Sequence, residues 1–150
     1  MPVYMELVTD VQMLRRRNYK VAIRALLSPS NANPIFDGEF MNLDAAYKLV
    51  RGADRSFGYM VWDERGRYDV QALGKVTVIH GGGGYEADTM IFTAAGLTLG
   101  NPLQISAAVV GPDGQTKSGL ANWGGGPVIG YVTRMPQFNG NKLRFHETLV

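Results

Sequence analysis

The chain of 150 residues contains no cysteine. Disulfides and thiolate metal sites are thereby excluded, and the redox compartment is left undetermined. Histidine is scarce as well, with His80 and His146 the only two. No apolar run approaches the ~20 residues that a helix needs to span a bilayer, so no membrane partner is expected. The N-terminal stretch carries acids and three consecutive arginines where a secretory signal would need an apolar core. The expectation is a product made and used without secretion. Charge of one sign is also lacking. The formal net charge is only +2, too balanced for a dedicated nucleic-acid binder.

What is present is a globular composition. Hydrophobic residues are 45% and charged residues 19%, which separates the chain from disordered tails. Its length suits one domain able to bury a real core. Nineteen glycines and seven prolines fall between β-branched runs, the habit of a turn-rich all-β domain.

The last quarter shows this habit most clearly. Val128 to Arg134 and Lys142 to Val150 are β-rich runs separated by a segment holding Pro136 and Asn139-Gly140. They read as an antiparallel pair with a turn over Met135 to Asn141. In the final run Leu143, Phe145 and Leu149 point one way, while Arg144, His146 and Thr148 point the other.

Residues 1–18 mix strand and helix spacing. Arg15, Arg16 and Arg17, followed by Lys20 and Arg24, make a basic cluster with three readings: a solvated segment, an arm docking on an acidic protein surface, or a nucleic-acid contact. The last lacks the aromatic platform such contacts use. Tyr19, Val21, Ile23, Ala25 and Leu27 alternate with their neighbours as an amphipathic strand. The loop Ser28 to Pro34 then breaks the chain. We therefore expect an N-terminal arm and linker over 1–34, separable from a β-rich body over 35–150.

In the body, strands follow at short intervals. Asp37-Gly38 precedes Glu39 to Leu43, and Tyr47 to Val50 follows. Phe57, Tyr59 and Val61 alternate with Gly58, Met60 and Trp62. Val70 to His80 is a longer run, with Val76, Val78 and His80 opposite Lys75, Thr77 and Ile79. Tyr85, Ala87, Thr89 and Ile91 oppose Glu86, Asp88, Met90 and Phe92, and Leu103, Ile105, Ala107 and Val109 oppose Gln104 and Ser106. Pro112-Asp113-Gly114 is a turn. About eight strands at this spacing predict an all-β small barrel or sandwich. Trp62, Trp123, Phe57, Tyr59, Tyr131 and Phe145 suit its core. Trp123, between Asn122 and three glycines, also stands where an interface anchor is common.

Catalytic constellations are weak. Gly81 to Gly84 is followed by Tyr85-Glu86-Ala87-Asp88, and not by the Lys-Ser/Thr and helix of a phosphate loop. His80 and His146, with Asp88 or Glu147, have no spacing that forces a metal site. Asp63 and Glu64 are explained by a turn better than by glycoside hydrolysis. No serine sits in a nucleophile elbow. No enzymatic activity, cofactor or metal is expected.

With these strands laid out, the body resembles tailed-bacteriophage capsid decoration (cement) proteins. The likeness rests on Asp37-Gly38-Glu39-Phe40, Asp69 to Val78, Tyr85 to Thr89, Gly96 to Leu103 with its Gly-x-Pro-Leu corner, and Pro127 to Thr133 with Val-Ile-Gly-Tyr-Val. The resemblance implies a non-enzymatic virion protein, made in the host cytoplasm, that binds the major capsid protein on the capsid exterior and stabilises the filled head. It points to a homotrimer, with a dimer next. The expected interface comprises Arg15, Arg16, Arg17, Tyr19, Lys20, Val21, Ile23, Arg24 and Trp123. A carbohydrate-binding or tail-associated adhesion module, stacking sugar on Trp123 near Asn122, is the alternative.

Overall fold

Side chains that alternate apolar and polar along a strand compel the strand to cover one face and wet the other. Here that rule yields two antiparallel sheets. The computed structural model describes residues 4–8, 14–20, 33–52, 58–62, 75–81 and 84–148. The strands are β1 (Met5–Leu7), β2 (Leu14–Lys20), β3 (Phe40–Leu43), β4 (Leu49–Val50), β5 (Tyr59–Val61) and β6 (Lys75–Gly81). They continue with β7 (Glu86–Thr89), β8 (Pro102–Val110), β9 (Thr116–Asn122), β10 (Gly130–Arg134) and β11 (Leu143–Glu147). No α-helix occurs among the described residues, and one 3-10 turn spans Pro136–Phe138. The expected all-β architecture is what the chain adopts.

Sheet I has the order β1-β7-β11-β10-β8-β9, and sheet II the order β2-β6-β5-β3-β4. The main core lies between them. Phe40, Met60 and Ile79 come from sheet II, and Tyr85, Ala87, Leu103, Ile105, Leu120, Val132, Leu143 and Phe145 from sheet I or the turn entering it. Phe145 is the hinge pin of this core. Its ring meets Phe40 edge-on at 5.5 Å and Tyr85 edge-on at 6.2 Å, the arrangement that aromatic quadrupoles prefer.

Sheet II is covered on both faces. Phe40, Met60 and Ile79 look into the main core, while Met41, Val61, Val76 and Val78 form a second cluster with Ile35 and Leu49. Ile79 lies on the face of its strand opposite Val76 and Val78, as the alternation predicts. It is fully buried, because the sheet has no wet face at that point.

The β10–β11 hairpin forms as the sequence predicts, with Gly130 opposite Glu147 and Val132 opposite Phe145. Pro136 opens the 3-10 turn, and Gly140 (φ 62°) and Asn141 (φ 65°) reverse the chain. Glycine and asparagine are the residues that tolerate this left-handed region.

The described parts of the N-terminal segment pair with both sheets. Met5 to Leu7 pair with Thr89 to Ala87 in sheet I. Leu14 to Lys20 pair with Gly81 to Lys75 in sheet II. Both segments are edge strands of their sheets. Tyr19 and Lys20, the described part of the strand expected over Tyr19 to Leu27, close β2, and Arg15, Arg16 and Arg17 lie inside the same strand. Val21, Ile23 and Arg24 fall outside the described residues, as do Phe57, Asp63 and Glu64.

Candidate interaction surface

The outer face of sheet I follows from its register. Since Leu143 and Phe145 point inward, Arg144 and His146 point outward, and every aligned neighbour follows the same parity. Tyr131 is opposite both Pro102 and His146, and His146 is opposite Glu86. The backbone N–H of Trp123 donates to the Pro102 carbonyl (3.1 Å), and that of Val8 to the Glu86 carbonyl (2.9 Å). Val8, Glu86, His146, Tyr131, Pro102 and Trp123 therefore make one row across all six strands. Trp123 and Tyr131 are 42% and 43% exposed, so both rings face solvent although they are large and apolar. Tyr131 was expected in the core. Strand parity sends it outward, and Phe40, Tyr85 and Phe145 fill the interior instead.

Trp123 is held in place. Its indole N–H donates to the Gly126 carbonyl, and the Gly124 N–H donates to Gln104 Oε1 at 2.8 Å. Asn122, expected beside it, is turned to the other face, where Asn101 Nδ2 donates to its side-chain oxygen at 3.2 Å. The neighbouring row is ionic. Arg144 grips Asp88 with two hydrogen bonds, 2.8 and 3.2 Å, and Asn139 Nδ2 donates to the same carboxylate at 3.0 Å. The carboxylate holds the Arg144 guanidinium pKa above its ordinary value, and burial opposes this weakly.

The second candidate surface is β2, which ends the strand order of sheet II. Its register sets Arg15, Arg16, Arg17 and Lys20 opposite His80, Ile79, Val78 and Lys75. Arg17 is exposed. Tyr19 is half-buried and stacks on Tyr59 with ring centroids 6.0 Å apart. Burial, then the neighbouring Tyr19, raises the Tyr59 pKa.

Sequence reasoning missed a third constellation, a buried ion-pair lock. Glu39 and Arg51 meet side-on, with Nε–Oε1 at 2.7 Å and an Nη2–Oε2 contact of 3.0 Å, and both side chains are wholly buried. Glu39 also accepts from the backbone N–H of Phe36 (2.7 Å) and of Ser118 (3.2 Å). Arg51 donates to the carbonyls of Asn33 and Pro34 at 3.1 and 2.8 Å. The Lys117 ammonium donates to Asn33 Oδ1 (2.9 Å) and the Pro34 carbonyl (2.6 Å), and pairs with Asp113 at 3.2 Å. It also lies 4.1 Å from the centre of the Phe36 ring, whose other partner is Tyr4, stacked at 4.3 Å.

Burial lowers the Lys117 pKa, and Glu39 pulls it back up. A lysine with a lowered pKa invites a catalytic reading. This one is wholly buried and hydrogen-bonded on several sides, so no substrate reaches it. The lock fastens residues 33–36 to β9 and to the end of β4, and its role is structural. Its members lie far apart along the chain, and no local pattern signals them.

Among the described residues no cluster of His, Asp and Glu is arranged to hold a metal ion. Comparison with family models, curated proteins and solved structures found no match. What the fold and its surfaces define is a two-sheet all-β protein with one aromatic-bearing sheet face and one basic edge.

Proposed function

We propose that the protein is a structural virion component that docks on the exterior of a bacteriophage capsid and stabilises the head. The observation that carries this reading is the basic edge strand. β2 holds Arg15, Arg16, Arg17 and Lys20 in seven residues at the end of a sheet. An edge strand offers backbone donors and acceptors for an added strand, and the cationic side chains steer it to an acidic surface. The buried lock supports the reading from within, since a body that resists head pressure must be stiff. The resemblance of the body motifs to decoration proteins points the same way. The partner is the major capsid protein, and the soluble form is a homotrimer, a state that light scattering after size exclusion measures.

The test is to mix the protein with empty, expanded phage heads and measure occupancy by electron microscopy at low and physiological salt. The wild-type chain is expected to decorate the heads. The triple variant Arg15→Ala, Arg16→Ala, Arg17→Ala is expected to bind more weakly, with the largest deficit at low salt, where charge is least screened. Undiminished occupancy by the variant at both salts would remove β2 from the interface. Bare heads with the wild-type chain would end the reading.

A further inference from the structure

We propose that the outer face of sheet I carries a binding site for a neutral oligosaccharide, centred on Trp123 and Tyr131. The site lies on the other sheet from β2, so the inference does not rest on capsid docking. Trp123 and Tyr131 flank Pro102 on its two sides. Two strand spacings separate them, roughly 10 Å, so a short run of linked sugar rings spans both. The apolar C–H face of a pyranose stacks on an aromatic ring, and its hydroxyls need hydrogen-bonding groups at the edge of that ring. The row supplies His146 and Glu86 beyond Tyr131, and Gln104 lies beside the glycine loop that follows Trp123.

Three observations favour this ligand class over others. The first is charge. The row contains no lysine or arginine; of the two arginines aligned beyond it on β10 and β11, Arg144 is held by Asp88 and Arg134 donates to the Phe138 carbonyl. A polyphosphate or nucleic-acid backbone, which needs clustered cations, finds no complement there. The second is composition. A stable contact with a second protein copy takes about 800 Å² per partner with an apolar centre. Here the exposed apolar side chains are interrupted by His146 and Glu86. The third is preorganisation. The indole N–H is already bonded to Gly126, so the ring holds one orientation and little rotamer freedom is lost when a ligand stacks on it. Glycine at 124, 125 and 126 keeps bulky side chains away from that ring.

The experiment titrates the full chain with maltohexaose, cellohexaose and chitohexaose, and with a heparin hexasaccharide as the anionic comparison, by calorimetry and tryptophan fluorescence. At least one neutral hexasaccharide is expected to bind. Trp123→Ala and Tyr131→Ala should each weaken it by roughly tenfold or more, while Tyr131→Phe, which keeps the ring, should retain most of the affinity. Both positions face solvent, and circular dichroism checks that the variants keep the wild-type fold. Absence of binding by all three neutral sugars at roughly 10 mM would overturn the proposal. So would binding that Trp123→Ala leaves unchanged, or a preference for heparin.

Discussion

Glu39 and Arg51 are wholly buried charges whose neutralisation depends on each other. Removing one strands the other in a low dielectric, so Arg51→Ala is expected to lose roughly 3–5 kcal/mol in urea unfolding. Lys117→Met keeps an unbranched chain against Phe36 and gives up the ammonium's hydrogen bonds, its pairing with the partly open Asp113 and its contact with the Phe36 ring, for a loss of roughly 1–3 kcal/mol. Equal losses in the two variants would show that Lys117 is as essential to the lock as the side-on pair. Tyr85 governs the alkaline limit. It is fully buried, and burial, with the Glu147 carboxylate adding to it, pushes its pKa well above the ordinary value of 10.0. The folded state then keeps a phenol proton that the unfolded chain releases. Stability is therefore intact below about pH 10 and falls as pH rises above it. Lys117 works in the opposite sense. Its lowered pKa makes the unfolded chain the better proton binder just below 10.5, which adds stability as pH climbs toward that value. Urea midpoints for Tyr85→Phe should show a shallower decline above pH 10 than the wild-type chain does. An identical decline would assign alkaline unfolding to other groups.

Cross-strand pairs set the strength of the strands in sheet I. Asp88 on β7 faces Arg144 on β11 and also holds Asn139 from the preceding turn. Asp88 is almost buried and Arg144 partly open, so Asp88→Ala is expected to lose about 1–2 kcal/mol in urea unfolding. A loss below roughly 0.3 kcal/mol would make the pair a solvent-screened contact. At this scale the sequence was readable wherever a strand has one wet face. The parity of Leu143, Arg144, Phe145 and His146 was right because water and core select opposite sides. It held at Ile79 too, but both faces of sheet II are covered there, so alternation separated the two faces without marking either as wet. Tyr131 was misread because it was grouped with the other large aromatics as core material, whereas its place on the strand turns it to solvent. The row that unites Tyr131, Pro102 and Trp123 is a product of register among three strands, and a single strand does not encode it. The lock was hidden by distance, since Glu39 meets Arg51 twelve residues on and the Ser118 amide 79 residues on.

In the whole molecule the N-terminal segment ties the two sheets together, since β1 completes sheet I and β2 completes sheet II. Deleting residues 1–20 also removes Tyr4 from the face of Phe36. The sequence led us to expect a body that folds without its arm. The topology predicts instead a marked fall in thermal midpoint and increased binding of a hydrophobic dye, both measurable on the truncated chain. An unchanged midpoint would mean that the two edge strands add nothing to the body. The place of β11 has a consequence for how the protein is made. This strand sits between β7 and β10, which are not paired with each other, yet it follows both in the chain. On the ribosome, β7 and β10 are therefore synthesised before the strand that joins them. Until β11 emerges, the nascent chain displays two unfinished half-sheets with open edges, the form most prone to mispairing with a neighbour.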